Sequence, residues 1–407
     1  MRAVRWGTLL ATALTAVTAL VVPAGPAFAD STRDKQWWLD SLDVAAVHKV
    51  TQGEGITVAV VDSGVDPNHP DLQGNVLPGV DVFDEKAKGQ VDRQGHGTAM
   101  ASLIAGHGHG SGGRAGVLGI APKAKILPVT VMTKSKRIPV EAIATGIRWA
   151  LDHGADVINV SISGGYDAEL DKVIEDAWNK GVLIVASSGN KNSIGGWPAF
   201  NYRTVGVTGI TREGTKAEES SASDVTDIAA PGEDIIAAAP DGRYQESSGT
   251  SDATAIVSGT LALIRTQQPN LRSAKVTEQI LWTTQDAGTK GNDFEYGWGI
   301  LDIKRAVTGK PDVRAAVAPS PTATGELNGA AQYEGCNNCT SRTTFVLQVI
   351  ALCGGLALFI GLIVFLLVRR SRKKRRQRAP EPAFAQQQPR APRAPDDDQA
   401  WQRPPGA

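Results

Sequence analysis

The sequence predicts an α/β protein: a doubly wound parallel sheet with helices on both faces, plus one C-terminal transmembrane helix. Three observations lead there. Short β-branched apolar runs alternate with segments of helical period between residues 36 and 307. Strands this apolar need cover on both faces, which parallel strands with crossover helices supply. Residues 345–368 form an uncharged run. At roughly 1.5 Å per residue, a helix of that length exceeds the ~30 Å hydrocarbon core.

Residues 1–29 read as a secretory signal. Arg2 and Arg5 give a positive start, an apolar stretch follows, and Ala27-Phe28-Ala29 offers a small-x-small cleavage site. The alternative, an uncleaved anchor, is disfavoured by that site and by Pro23, Gly25 and Pro26. Residues 30–308 are expected to form one domain. Its strands are predicted at 56–62, 125–131, 156–161, 182–186 and 204–207, and its helices at 96–105, 139–153, 168–180 and 251–267. A domain of this length buries a sizeable core by itself. Three cysteines in 407 residues exclude a disulfide framework. The balance of 42 basic against 42 acidic residues gives no reason to expect a nucleic-acid partner.

Residues 309–344 are rich in Pro, Ala and Thr and read as an extended linker. It carries Cys336 and Cys339 in a C-x-x-C. In an oxidising exterior this pair can close a small disulfide; with no second ligand pair nearby it does not make a zinc site. After the span, the basic run 369–378 belongs on the cytoplasmic side. Its expected contact is anionic lipid. The rest of the tail to 407 is rich in Pro, Gln and Ala and is expected to be disordered. Signal and charge asymmetry agree on one orientation: a single-pass type I protein of the cell membrane, with the N-terminal domain outside and the tail inside.

Three segments carry chemistry. In the first, the strand Val58-Ala59-Val60-Val61 ends in Asp62, followed by Gly64. Carboxyl ends of parallel strands line the ligand crevice, although an Asp here also caps turns. In the second, His96 opens a helix between Gly95 and Gly97, where a surface histidine is the plain alternative. In the third, Ser251 opens a long apolar helix after Ser248-Gly249-Thr250, where an N-cap is the plain alternative. Together they supply a nucleophile (Ser251), a base (His96) and an orienting carboxylate (Asp62). The helix beginning at Ser251 would aim its positive end at a developing oxyanion.

These segments resemble, in chain order, the Asp, His and Ser signatures of subtilisin-like serine proteases. The likeness runs from about Trp38 to Val307. It includes Asp156-Val157-Ile158-Asn159-Val160-Ser161, Val185-Ala186-Ser187-Ser188-Gly189-Asn190, Ala229-Ala230-Pro231-Gly232 and Gly297-Trp298-Gly299-Ile300-Leu301-Asp302. It implies a subtilisin-like fold and a serine endopeptidase acting on proteins or peptides. By the same likeness Asn190 and the Ser251 backbone N–H form the oxyanion hole. Ser161, Ile162, Ser163, Gly164, Ser188 and Gly189 line the substrate site. The layout of signal, linker, span and basic tail resembles the mycosins, proteases associated with type VII secretion systems. This suggests secretion components as partners, and as an alternative a tethered structural subunit whose proteolysis is secondary. Mycosins usually carry further cysteines in the catalytic domain, and this domain has none.

The chain departs from the family at several points. Residues 30–52 are shorter than a conventional propeptide. Asp252 follows the nucleophile where Met is frequent, and its charge is expected to raise the pKa of His96. Ser163 stands where Gly is common. Lys191 follows Asn190 at the pocket rim, as either a selector of acidic side chains or a solvated loop lysine. Family members often bind calcium near residues 106–116. That stretch offers only Ser111 as an oxygen side chain, and His107 and His109 have no evident metal partners. It is therefore expected to be a flexible surface loop; the sequence leaves calcium open there without supporting it, and no cofactor is expected.

Overall fold

The computed structural model describes residues 31–191 and 195–309. The predicted signal, most of the linker, the C-x-x-C, the span 345–368 and the tail lie outside these residues. Among the described residues no helix is long and apolar enough to cross a membrane.

Three short helices, α1 (Ser31–Asp34), α2 (Trp37–Ser41) and α3 (Val44–Val47), lead into β1 (Thr57–Asp62). Next come β2 (Val80–Asp81), α4 (His96–Ala105), and the strands β3 (His107–His109) and β4 (Ala115–Leu118). The chain continues through β5 (Lys125–Thr130), α5 (Val140–Asp152), β6 (Val157–Val160), α6 (Ala168–Asn179), β7 (Leu183–Ser187), β8 (Thr204–Ile210) and β9 (Ile228–Pro231). It closes with β10 (Ile235–Ala239), β11 (Arg243–Ser247), α7 (Thr250–Gln267), α8 (Ser273–Trp282) and α9 (Ile303–Thr308).

Seven strands form one parallel sheet in the order β2-β5-β1-β6-β7-β8-β9. The chain leaves β1 toward β5 on one side and returns to β6 on the other. The crevice between the carboxyl ends of β1 and β6 is therefore a topological switch point. Asp62 ends β1 and Ser161 follows β6.

Strand alternation sorts the core into two layers. Val58 and Val60 point to the face covered by α4 and α7, while Ala59 and Val61 point to the face covered by α5 and α6. All four are fully buried, as a strand in the middle of a doubly covered sheet must be. Each fully buried Ile or Leu in these layers contributes roughly 1.5–3 kcal/mol. Helix α7 is buried nearly all round, and its small and apolar residues let it pack on every side while its polar side chains find partners inside the protein. Thr254 and Thr260 satisfy their hydroxyls locally, donating to carbonyls one turn back at 2.7 and 3.0 Å.

The predicted strands and helices are present with ends shifted by about a residue, except that β8 runs on to Ile210. Helix α7 begins at Thr250 with Gly249 as its N-cap, so the N-cap alternative for Ser251 does not hold. One expectation is corrected. The stretch 106–116 is not a loop throughout: β3 and β4 pair antiparallel as a small hairpin. His109 Nδ1 lies 2.6 Å from Oδ1 of the buried Asp71, a partner far away in sequence.

Candidate active site

Asp62 is fully buried, so its carboxylate needs partners. His96 Nδ1 lies 2.9 Å from Oδ1 and 2.8 Å from Oδ2, and the Ser63 N–H donates to Oδ1 at 2.7 Å. One carboxylate thus caps its own turn and holds the imidazole. The approach depends on missing side chains. A Cβ at Gly97 would lie 2.1 Å from the Gly64 carbonyl oxygen, and one at Gly64 (φ 106) would lie 2.2 Å from that of Val91.

The turn before α4 is organised by Asp92, which sequence reasoning did not single out. Its Oδ1 accepts from Ser63 Oγ at 2.7 Å, Gln94 N at 3.0 Å and Gly95 N at 2.8 Å. Its Oδ2 accepts from Thr98 N at 2.9 Å and Thr98 Oγ1 at 2.5 Å. Ser63 Oγ in turn accepts from Gly97 N at 3.0 Å. The local signal was available: an Asp just ahead of a glycine N-cap satisfies the orphan N–H groups of a first turn.

Burial pushes the His96 imidazole down, but the Asp62 carboxylate, with Asp252 and Asp92 adding to it, lifts it to about 9. Asp252 sits in the first turn of α7, 2% exposed, with Ser247 Oγ donating to its two oxygens at 3.0 and 3.1 Å. Burial raises its own carboxyl to about 6. Above that value it is charged and favours the imidazolium.

Ser251 Oγ donates to the Ser161 carbonyl oxygen at 3.0 Å and not to His96. Ser161 Oγ returns a bond to the Ser251 carbonyl oxygen at 3.1 Å. Behind them Asn159 Nδ2 donates to Ser161 Oγ at 3.0 Å, and Ser258 Oγ donates to Asn159 Oδ1 at 3.0 Å. These bonds lash α7 to the end of β6. Asn159 and Ser258 brace this contact in a way that periodicity could not reveal, because their partners are remote in sequence. Asn190 Oδ1 accepts from Thr250 N and Thr250 Oγ1, both at 3.1 Å. Fixing the oxygen leaves Nδ2 as the remaining donor of Asn190, at the start of α7.

The two predicted walls, 161–164 and 188–189, are joined by a segment the sequence did not suggest. Gly164 and Trp197 exchange backbone bonds of 2.9 and 3.0 Å. A Cβ at Gly195 would lie 2.2 Å from the Ser188 carbonyl oxygen, and one at Gly196 would lie 2.5 Å from that of Gly164. Ser221 Oγ bonds the carbonyls of Ser188 and Gly189 at 3.1 and 3.0 Å. Ile162 is buried and Ser163 is exposed. Lys191 forms an exposed ion pair with Glu218 at the rim. Among the described residues no cluster of three or more His, Cys, Asp or Glu is arranged to hold a metal.

With this geometry in view, comparison with known proteins is decisive at family level. The subtilase family model matches residues 53–299. The chain belongs to the subtilase family. This subtilase is 35% identical over 260 residues to subtilisin E of Bacillus subtilis (strain 168), covering 62% of this chain and 66% of that protein. It is 36% identical over 245 residues to thermitase of Thermoactinomyces vulgaris, covering 59% and 86%. The chain thus spans about two thirds of the length of the curated subtilisins it matches. Among solved structures it resembles MycP1 with its N-terminal propeptide removed (TM-score 0.59, 27% identity, 67% of this chain and 96% of that one). It also resembles fervidolysin from Fervidobacterium pennivorans, a keratinolytic enzyme related to subtilisin (TM-score 0.63, 30% identity, 70% and 48%).

Proposed function

We propose that this subtilase is a serine endopeptidase that cleaves proteins or peptides at the outer face of the cell membrane. The observation that carries the reading is His96 Nδ1 held within 2.9 Å of both Asp62 oxygens, at the switch point, with Ser251 in the first turn of α7. Ser251 Oγ turns from Ser161 toward His96 Nε2 and attacks the scissile carbonyl carbon, while His96 takes its proton. Asp62 keeps the remaining N–H on Nδ1 and stabilises the imidazolium. The carbonyl oxygen becomes an oxyanion, received by Asn190 Nδ2 and the Ser251 N–H. The C–N bond then breaks, His96 gives its proton to the leaving amine, and an acyl group remains on Ser251. Water, deprotonated by His96, releases it by the same steps.

Substrate backbone lies along residues 161–164, and the side chain before the cut enters between those residues and Ser188-Gly189. The exposure of Lys191 and its surface pairing with Glu218 support the reading of a solvated rim lysine rather than a selector. The membrane location is supported by the signal pattern at 1–29, the apolar run 345–368 and the basic run after it. An association with type VII secretion is supported by this layout and by the likeness to MycP1. The experiment is labelling of the full chain with a fluorophosphonate probe beside Ser251→Ala. Covalent labelling that disappears in the variant is the expected result. Folded wild-type protein that stays unlabelled would remove the catalytic reading and leave the tethered structural subunit.

A further inference from the structure

The N-terminal segment sends one cation into the β3–β4 hairpin. Arg33 Nε donates to the Gly116 carbonyl oxygen at 2.9 Å and to Gln36 Oε1 at 3.1 Å. Its Nη2 donates to the carbonyl oxygens of Gly113 and Ala115 at 3.2 and 3.3 Å. Gln36 is 3% exposed and is fixed by Leu118, whose N–H it accepts at 2.8 Å and whose carbonyl oxygen it donates to at 3.1 Å. Gly108 (φ 67) makes the room: a Cβ there would lie 2.5 Å from Arg33 Nη2. Beside this cradle the Asp71 carboxylate, fully buried, takes bonds from His109 Nδ1 at 2.6 Å, Val117 N at 2.8 Å and Tyr244 Oη at 3.0 Å.

Three backbone carbonyls, one amide oxygen and a nearby carboxylate make the kind of oxygen set that a hard divalent cation takes. Relatives that the sequence resembles often carry calcium in this stretch. The residues here do not fit such an ion. The four neutral oxygens already receive the guanidinium, and the carboxylate already receives the imidazole, an amide and a phenol. A divalent ion would also face a fixed positive charge across the cradle.

We propose that Arg33 is the resident cation of this cradle, so that the hairpin is held without a metal, and that its removal exposes a latent calcium site. The guanidinium suits the task because its planar fork serves several acceptors at once and is always charged. The segment that supplies it follows the predicted signal cleavage point, so cleavage beyond residue 33 would open the cradle. This inference is independent of the catalytic reading.

The test is thermal unfolding of the full chain in mild detergent, with EDTA or with millimolar calcium, followed by near-UV circular dichroism. Wild type is expected to melt at the same temperature in both. Arg33→Ala is expected to melt several degrees lower in EDTA and to regain about half of the loss in calcium, with less from magnesium, whose smaller shell demands stricter geometry. Arg33→Met keeps the apolar stem and serves if the alanine variant does not fold; calcium must raise its melting temperature too. Three results overturn the proposal: EDTA destabilising wild type, Arg33 variants melting like wild type, or destabilised variants that ignore calcium.

Discussion

The two halves of the site meet at the same edge of the sheet but are held differently. Around His96, carboxylates do the holding: Asp62 grips the imidazole and Asp92 gathers Ser63, Gly95 and Thr98. Around Ser251 the bonds are neutral and alternative, with Oγ resting on the Ser161 carbonyl oxygen. Charge-assisted bonds are about twice as strong as neutral ones. His96 is therefore held rigidly, while the Ser251 hydroxyl can exchange one partner for another at small cost. A site assembled this way keeps its expensive element, a buried carboxylate against an imidazole, permanently satisfied. The motion is left to a hydroxyl.

This contrast can be broken at its strongest point. Asp62→Asn should lower kcat/KM by about four orders of magnitude, because the amide permits the wrong imidazole tautomer. Hydrolysis of a peptide p-nitroanilide would measure it, and a loss under tenfold would mean that Asp62 does not orient the base. On the nucleophile side, Asn190→Ala should cost roughly 10²–10³ in kcat with KM nearly unchanged, since its donor serves an oxyanion that exists only in the transition state. A change confined to KM would assign Asn190 to ground-state binding instead.

Asp92→Asn separates support from chemistry. The amide loses acceptor capacity for the Thr98 hydroxyl and backbone, at a cost of about 1–3 kcal/mol. A melting curve should shift down by several degrees, and equal stability would contradict the clamp. The smallest effect concerns pH. His96 stands near 9 and must be neutral to accept a proton, so kcat/KM should rise with pH through that region. Asp252 is charged above about 6 and contributes to that value. Asp252→Asn removes the charge, so the acidic limb should move to lower pH. A limb that stays in place would show that Asp252 does not act on His96.

What sequence determined by itself was local. A parallel sheet follows from apolar runs alternating with helical period, and the candidate catalytic residues sit where strands end or helices begin. Asp62, His96 and Ser251 each had a plain alternative when read alone and stood out as candidates only when taken together in chain order, and Asn190 came from the family resemblance. Tertiary structure decided the pairings. Asp71 meets His109, Arg33 meets the 113–116 carbonyls, Trp197 closes on Gly164, and Glu218 pairs with Lys191. The stretch 106–116 looked unstructured because its glycines have no period, and only distant charges give it shape. The resting partner of Ser251 was equally invisible, since Ser161 reaches it across the switch point between two strands. The physical reason is the same throughout. Periodicity and turn chemistry act between near neighbours, whereas a buried charge is satisfied by whatever group the fold brings to it.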